Sequence, residues 1–234
     1  MKNKPRPSKL WPGAILGTIA KSVATAIHPE FDSLQSWSGP NYVVQGWDGR
    51  HGAVTFDGPQ GSQFDPKNSF VVGAFYSIDS ARCPGVGKSQ TAMDSIFRGC
   101  PERHRQLAVQ GALQFLLFEA HPGGPCATTA FWNIGDALDA ANPWESVLEN
   151  GAELLDAVLI EDMEQALQSW VREFQLDTNQ LDLARSIYLR RMQEPDMNLP
   201  LSEVEAAYLA SLSDDPDAIT NCRMSFADIR VLVP

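Results

Sequence analysis

Several signatures are missing from this 234-residue chain, and each absence excludes a class. No apolar run reaches the ~18 residues of a membrane-spanning helix. No internal repeat or long low-complexity tract is present, which excludes solenoid and linker-dominated architectures. Cysteine is scarce: the four are Cys83, Cys100, Cys126 and Cys222, and no two have C-x-x-C spacing. A chain this long and this poor in cysteine reads as a reduced cytosolic protein with four free thiols, not as a disulfide framework. There is no H-E-x-x-H and no G-x-S-x-G, so neither a zinc hydrolase nor a nucleophile elbow is indicated. Lysine is absent from residues 136–234, where all six cations are arginine.

The charge is unevenly placed. The net formal charge is -11. Residues 136–234 hold six basic and twenty acidic side chains, whereas residues 41–135 hold seven of each. Residues 1–40 are basic, with five Lys/Arg against two Asp/Glu. An acidic surface repels phosphates, so nonspecific nucleic-acid binding is disfavoured.

Hydrophobic residues make up 44% of the chain and charged residues 20%, a globular balance. The stretch around which it is organised is Asn41–Ser77. Tyr42–Trp47, Ala53–Phe56 and Phe70–Tyr76 are rich in β-branched and aromatic residues. Between them lie Asp48-Gly49, Asp57-Gly58-Pro59 and Asp65-Pro66, which are turn sequences. The expectation is a three-stranded antiparallel meander, with a fourth strand over Cys126–Asn133.

Helices are expected around it. Pro12 suits a helix start, and Leu16, Ile19, Ala20, Val23 and Ile27 follow at helical spacing, with Lys21, Ser22 and Thr25 on the opposite, solvent side. A secretory or envelope reading of residues 1–26 is the alternative, from the basic start, the apolar Leu10–Ala20 and the Ala24-Thr25-Ala26 site. Glu102–His121 reads as one buried helix and Ala152–Phe174 as a second helix, with Asp162 inside its apolar arc and therefore expected to be at least partly buried and paired with an arginine. Asp177 with Gln180 and Ser202 with Glu205 form capping-box patterns that start two further helices. The fold class is α+β: a small antiparallel sheet with a buried helix, then a helical half. The boundaries are 1–40 for the basic tail and amphipathic helix, 41–135 for the sheet region and 136–234 for the acidic helical region.

The sharpest chemical motif is Gly85-Val86-Gly87-Lys88-Ser89. Backbone amides there would cradle phosphates, with Lys88 supplying charge and Ser89 a metal ligand. Arg82 stands where the full pattern needs its first glycine, and Pro84 lacks a backbone donor, so nucleotide binding at Gly85, Gly87, Lys88 and Ser89 ranks behind the main reading. Cys83 or Ser80 as a nucleophile would need one of His28, His51, His104 or His121. No cofactor is implied.

The feature that sets the chain apart is its acidic helical half. Glu153, Glu161 and Glu164 are expected on one helix face, with Asp214, Asp215 and Asp217 in a following loop. Such a surface fits a protein–protein interaction module, an inhibitor or immunity-type binder of a basic partner. The alternative is an enzyme with a small-molecule or nucleotide pocket.

Overall fold

The computed structural model describes residues 5–57, 69–83, 89–117 and 124–234. In chain order the helices are α1 (Pro7–Thr25), α2 (Ser89–Ile96), α3 (Glu102–Gln110), α4 (Trp144–Glu149), α5 (Met163–Phe174), α6 (Thr178–Gln193), α7 (Glu203–Ser211) and α8 (Pro216–Asp228). The strands are β1 (Gln35–Ser38), β2 (Asn41–Gln45), β3 (His51–Phe56), β4 (Val71–Tyr76), β5 (Thr129–Ile134), β6 (Ala137–Asp139), β7 (Leu199–Pro200) and β8 (Val231–Leu232). The class is α+β, as the sequence implies, with a larger sheet than expected.

The chain packs as two compact units. The first comprises Met1–Ser8, Gly39–Gly58 and Phe64–Asp156; the second comprises Lys9–Ser38, Pro59–Gln63 and Ala157–Pro234. Most of α1 falls in the second unit with residues 157–234, and residues 136–156 fall in the first.

In the first unit, β2 to β6 pair antiparallel in sequence order. The three expected strands appear as β2, β3 and β4, with Val54 opposite Gly73 and Tyr42 opposite Val54. The Asp48-Gly49 turn closes β2 onto β3, with the Gly46 amide donating to the Arg50 carbonyl at 2.7 Å. Of the turn expected at 57–59, residues 58 and 59 lie outside the described residues, as does Asp65-Pro66. Every residue of β4 is buried. Buried strands lose alternation, so β-branched and aromatic content marks them instead.

The helix expected over Glu102–His121 stops at Gln110; Ala112–Leu116 is a 3-10 turn, and residues 118–121 lie outside the described residues. Gly111 causes the break, with φ -126 and ψ -100, far from helical values. It also lies so close to β3 that a Cβ there would collide with the Thr55 side chain. The apolar residues beyond it pack as irregular chain: Leu113 and Leu116 join Val72, Phe97, Ala130 and Trp132 in one buried cluster.

In the second unit, α1 is not amphipathic. Residues Leu10 and Trp11, and Ala14 through Ala26, are buried, including Thr18, Lys21, Ser22 and Thr25. The expected polar face therefore points into the unit. Burial is tolerated because each hydroxyl is satisfied locally. Thr18 donates to the Ala14 carbonyl at 2.8 Å, Ser22 to Thr18 at 2.7 Å and Thr25 to Lys21 at 2.9 Å. Lys21 Nζ bonds Asp32 Oδ1 at 3.0 Å and Ser225 Oγ at 2.8 Å. Pro12 falls inside α1 and not at its start. At Gly13 the Val158 carbonyl approaches so closely that no other residue would fit.

The helix expected over Ala152–Phe174 is also divided. Ala152–Leu155 is a 3-10 turn and α5 begins at Met163. Asp162 is the N-cap of α5, exposed, accepting from the Gln165 amide at 2.9 Å. The buried, arginine-paired Asp162 is therefore corrected: its carboxylate satisfies a helix-end donor in water, worth about 0.5–2 kcal/mol. Both capping boxes form, at Asp177–Gln180 and Ser202–Glu205. The C-terminal residues are helix (α8) and then strand (β8), with β8 pairing parallel to β7. Among the described residues no helix is long and apolar enough to cross a membrane.

Candidate functional site

The second unit carries most of the charge. It holds eight Lys/Arg and sixteen Asp/Glu, a net -8 of the chain's -11. All eight cations donate within the unit. Arg185 grips Glu164 through two bonds of 3.0 and 2.8 Å and also reaches Asp182 at 2.6 Å. Arg190 takes both oxygens of Glu205 at 2.7 and 2.8 Å. Lys21 takes Asp32. The others reach backbone carbonyls: Lys9 that of Glu161, Arg172 of Gln168, Arg191 of Glu194 and Met197, Arg223 of Pro234, and Arg230 of Asp196. Arg191 is fully buried while doing so. The cations held by carbonyls keep their charge, so the unit's net formal charge stays at -8.

Glu153, Glu161 and Glu164 are not on one helix: Glu153 is in the 3-10 turn Ala152–Leu155, Glu161 precedes α5 and Glu164 is in its first turn. Glu153 belongs to the first unit, where it pairs with Arg50. Glu161 and Glu164 are exposed in the second unit, and hydrogen bonding to Arg185 holds the Glu164 carboxyl below its ordinary range. Asp214 is exposed before α8. Asp215 caps α8 and accepts from the Asp217 amide at 2.9 Å, which leaves Asp217 in the first turn, favoured there by the helix dipole. Large apolar side chains of the same unit are also exposed: Val204 is 79% exposed, Met197 62% and Met224 56%.

Gly85, Gly87 and Lys88 lie outside the described residues, and Ser89 is the first residue of α2. The nucleophile candidates bond other groups. Ser80 donates to Asn150 Oδ1, while Asn150 Nδ2 donates to the Ser146 carbonyl at 2.6 Å. Arg82 Nη2 donates to Ser146 Oγ at 2.6 Å. Cys83 Sγ lies 3.5 Å from the Tyr76 hydroxyl. His51 stacks obliquely on Tyr76, His28 lies in the second unit 3.4 Å from Glu30, and His121 is outside the described residues. His104 is buried, with Nε2 bonded to Asn133 Oδ1 at 3.1 Å. Because that oxygen accepts, Nε2 carries the proton and Nδ1 is the buried acceptor nitrogen. Burial lowers the His104 pKa.

Two features of the first unit had no sequence signal. A cleft of about 230 Å³ is lined by Met93, Phe97, Val109, Leu113 and Leu117, with Arg105 bonded to the Phe97 carbonyl at 3.0 Å. Beside it in the same core, Tyr76, Cys83 and Cys126 pack together. Burial, and then the neighbouring Cys83 thiol, push the Cys126 thiol up to about 11. Among the described residues no three His, Cys, Asp or Glu side chains converge as a metal site would require.

No protein-family model, curated protein or solved structure matches this chain.

Proposed function

We propose that the protein is a binding module whose second unit docks a basic protein partner, in the manner of an inhibitor. The observation that supports this is that unit's excess of acidic side chains. Eight Lys/Arg are held by its own carbonyls and carboxylates, against sixteen Asp/Glu. The unit's net formal charge is -8, and a basic protein approaching it gains attraction before contact. Exposed Val204, Met197 and Met224 supply apolar area of the kind that contributes affinity once the partner is seated.

The structure changes which acids should matter. Glu164 is neutralised in a bidentate pair, and Glu153 is paired in the other unit, so neither is a good contact. Asp214 and Asp217, exposed at the start of α8, are better ones. The experiment is affinity capture from the source cells at low ionic strength, repeated with Asp214→Lys/Asp217→Lys. The proposal expects a basic protein that salt elutes and the double variant fails to retain. Retention of the same protein at high salt and by the variant would remove the proposal's support.

A further inference from the structure

Of the four thiols, Cys83 and Cys100 are half-buried and Cys126 and Cys222 are buried. Their surroundings differ. Cys222 lies in the second unit. The Cys100 thiol faces the Pro101 carbonyl at 3.6 Å, and burial pushes it up to about 12. Cys83 and Cys126 lie where the end of β4 meets the start of β5: Phe75 pairs with Thr129, the Ser77 amide donates to Thr128 Oγ1 at 3.0 Å, Cys83 Sγ is 3.5 Å from the Tyr76 hydroxyl, and the two thiols are neighbours. Two backbone contacts hold them there. The Cys83 amide donates to the Ser80 carbonyl at 2.9 Å, closing the turn that follows β4. The Cys126 amide donates to the Leu116 carbonyl at 2.8 Å, just before β5. Cys83 is half-buried and Cys126 is fully buried. That is the arrangement of an attacking and a resolving cysteine.

We propose that Cys83 and Cys126 are a redox pair that a hydroperoxide converts to an intramolecular disulfide. The Cys83 thiolate attacks one peroxide oxygen, the O–O bond breaks, and Cys83 sulfenic acid and hydroxide form. The Cys126 sulfur then attacks the Cys83 sulfur. Its proton and the departing hydroxyl leave as water, and the S–S bond forms. In total two thiols lose two electrons and two protons, and one hydrogen peroxide becomes two waters. The Tyr76 hydroxyl, kept protonated by burial, is placed to donate to the Cys83 sulfur while it is anionic. The bond would fasten the Ser80–Arg82 turn to the segment leading into β5.

The test uses the full chain carrying Cys100→Ser and Cys222→Ser, so that two thiols remain. It is treated with hydrogen peroxide, alkylated after unfolding, and digested with trypsin without reduction. The expected product is a disulfide joining peptide 83–88 to peptide 106–172, with both thiols lost to alkylation and both restored by dithiothreitol. In the same background, Cys126→Ala should instead leave a Cys83 sulfenic acid that dimedone traps. Cys83 driven to sulfinic acid, or joined to a second molecule, while Cys126 stays fully alkylatable would overturn the proposal. That readout needs only the background protein, so it holds even if the Cys126 variant fails to fold.

Discussion

Lys21 Nζ sits 3.0 Å from Asp32 Oδ1, with the lysine side chain 2% exposed and the aspartate 40% exposed. The pair is lopsided: one member is sealed in the second unit and the other still meets water. Removing either partner should therefore cost different amounts. Asp32→Ala leaves a buried ammonium with Ser225 Oγ as its remaining partner and should cost about 3 kcal/mol. Lys21→Met leaves a carboxylate that water can solvate and should cost clearly less. Urea melts of the two variants decide it, and equal losses would mean the pair is not held as described.

Gly111→Ala should destabilise the first unit by about 1–3 kcal/mol, because the added methyl meets the Thr55 side chain. The helix-propensity gain of an alanine would act in the opposite direction. A melt showing Gly111→Ala as stable as the parent would indicate that α3 can continue past Gln110.

His104 should make stability fall on mild acidification. Its folded pKa lies below the ordinary histidine value, chiefly through burial, so the unfolded chain takes up the proton first. Stability from this group is intact above about pH 6.5 and is lost as pH falls from there towards the folded pKa. His104→Gln removes the titration while keeping a donor for Asn133 Oδ1. Between pH 7 and pH 5 the parent should lose more stability in urea melts than the variant; equal slopes would contradict the assignment.

The strands were legible where β-branched and aromatic residues crowd between turn dipeptides, as at Tyr42–Val44 and Val71–Tyr76. The three residues of β6 are too short to carry a pattern. Two of the expected helices run past their real bounds for one reason: apolar spacing continues through a break whose signal is local. Gly111 marks the first break, and Asp162, three residues before Gln165, marks the second as a capping residue. Lys21, Ser22 and Thr25 look like a solvent face on a helical wheel. No wheel shows that hydroxyls can bond back to carbonyls one turn away, or that Asp32 waits for the ammonium.

The acidic excess was countable from the sequence, but its distribution was not. Arg185 and Arg190 lie 21 and 15 residues from the glutamates they bind, beyond any local pairing rule. The Tyr76–Cys83–Cys126 cluster is likewise invisible to spacing, since strand pairing brings it together.

Docking of a basic partner through the second unit is the central claim, and association kinetics test it most directly. The rate for the captured partner would be measured at about 0.1 M and 1 M salt, where the Debye length falls from roughly 10 Å to 3 Å. The parent, Asp214→Lys/Asp217→Lys and Asp136→Lys would be compared, the last being an exposed acid of the first unit. The account predicts a steep fall with salt, a slower rate for the second-unit reversals at low salt and little change for Asp136→Lys. A rate indifferent to salt, or slowed only by Asp136→Lys, would contradict it.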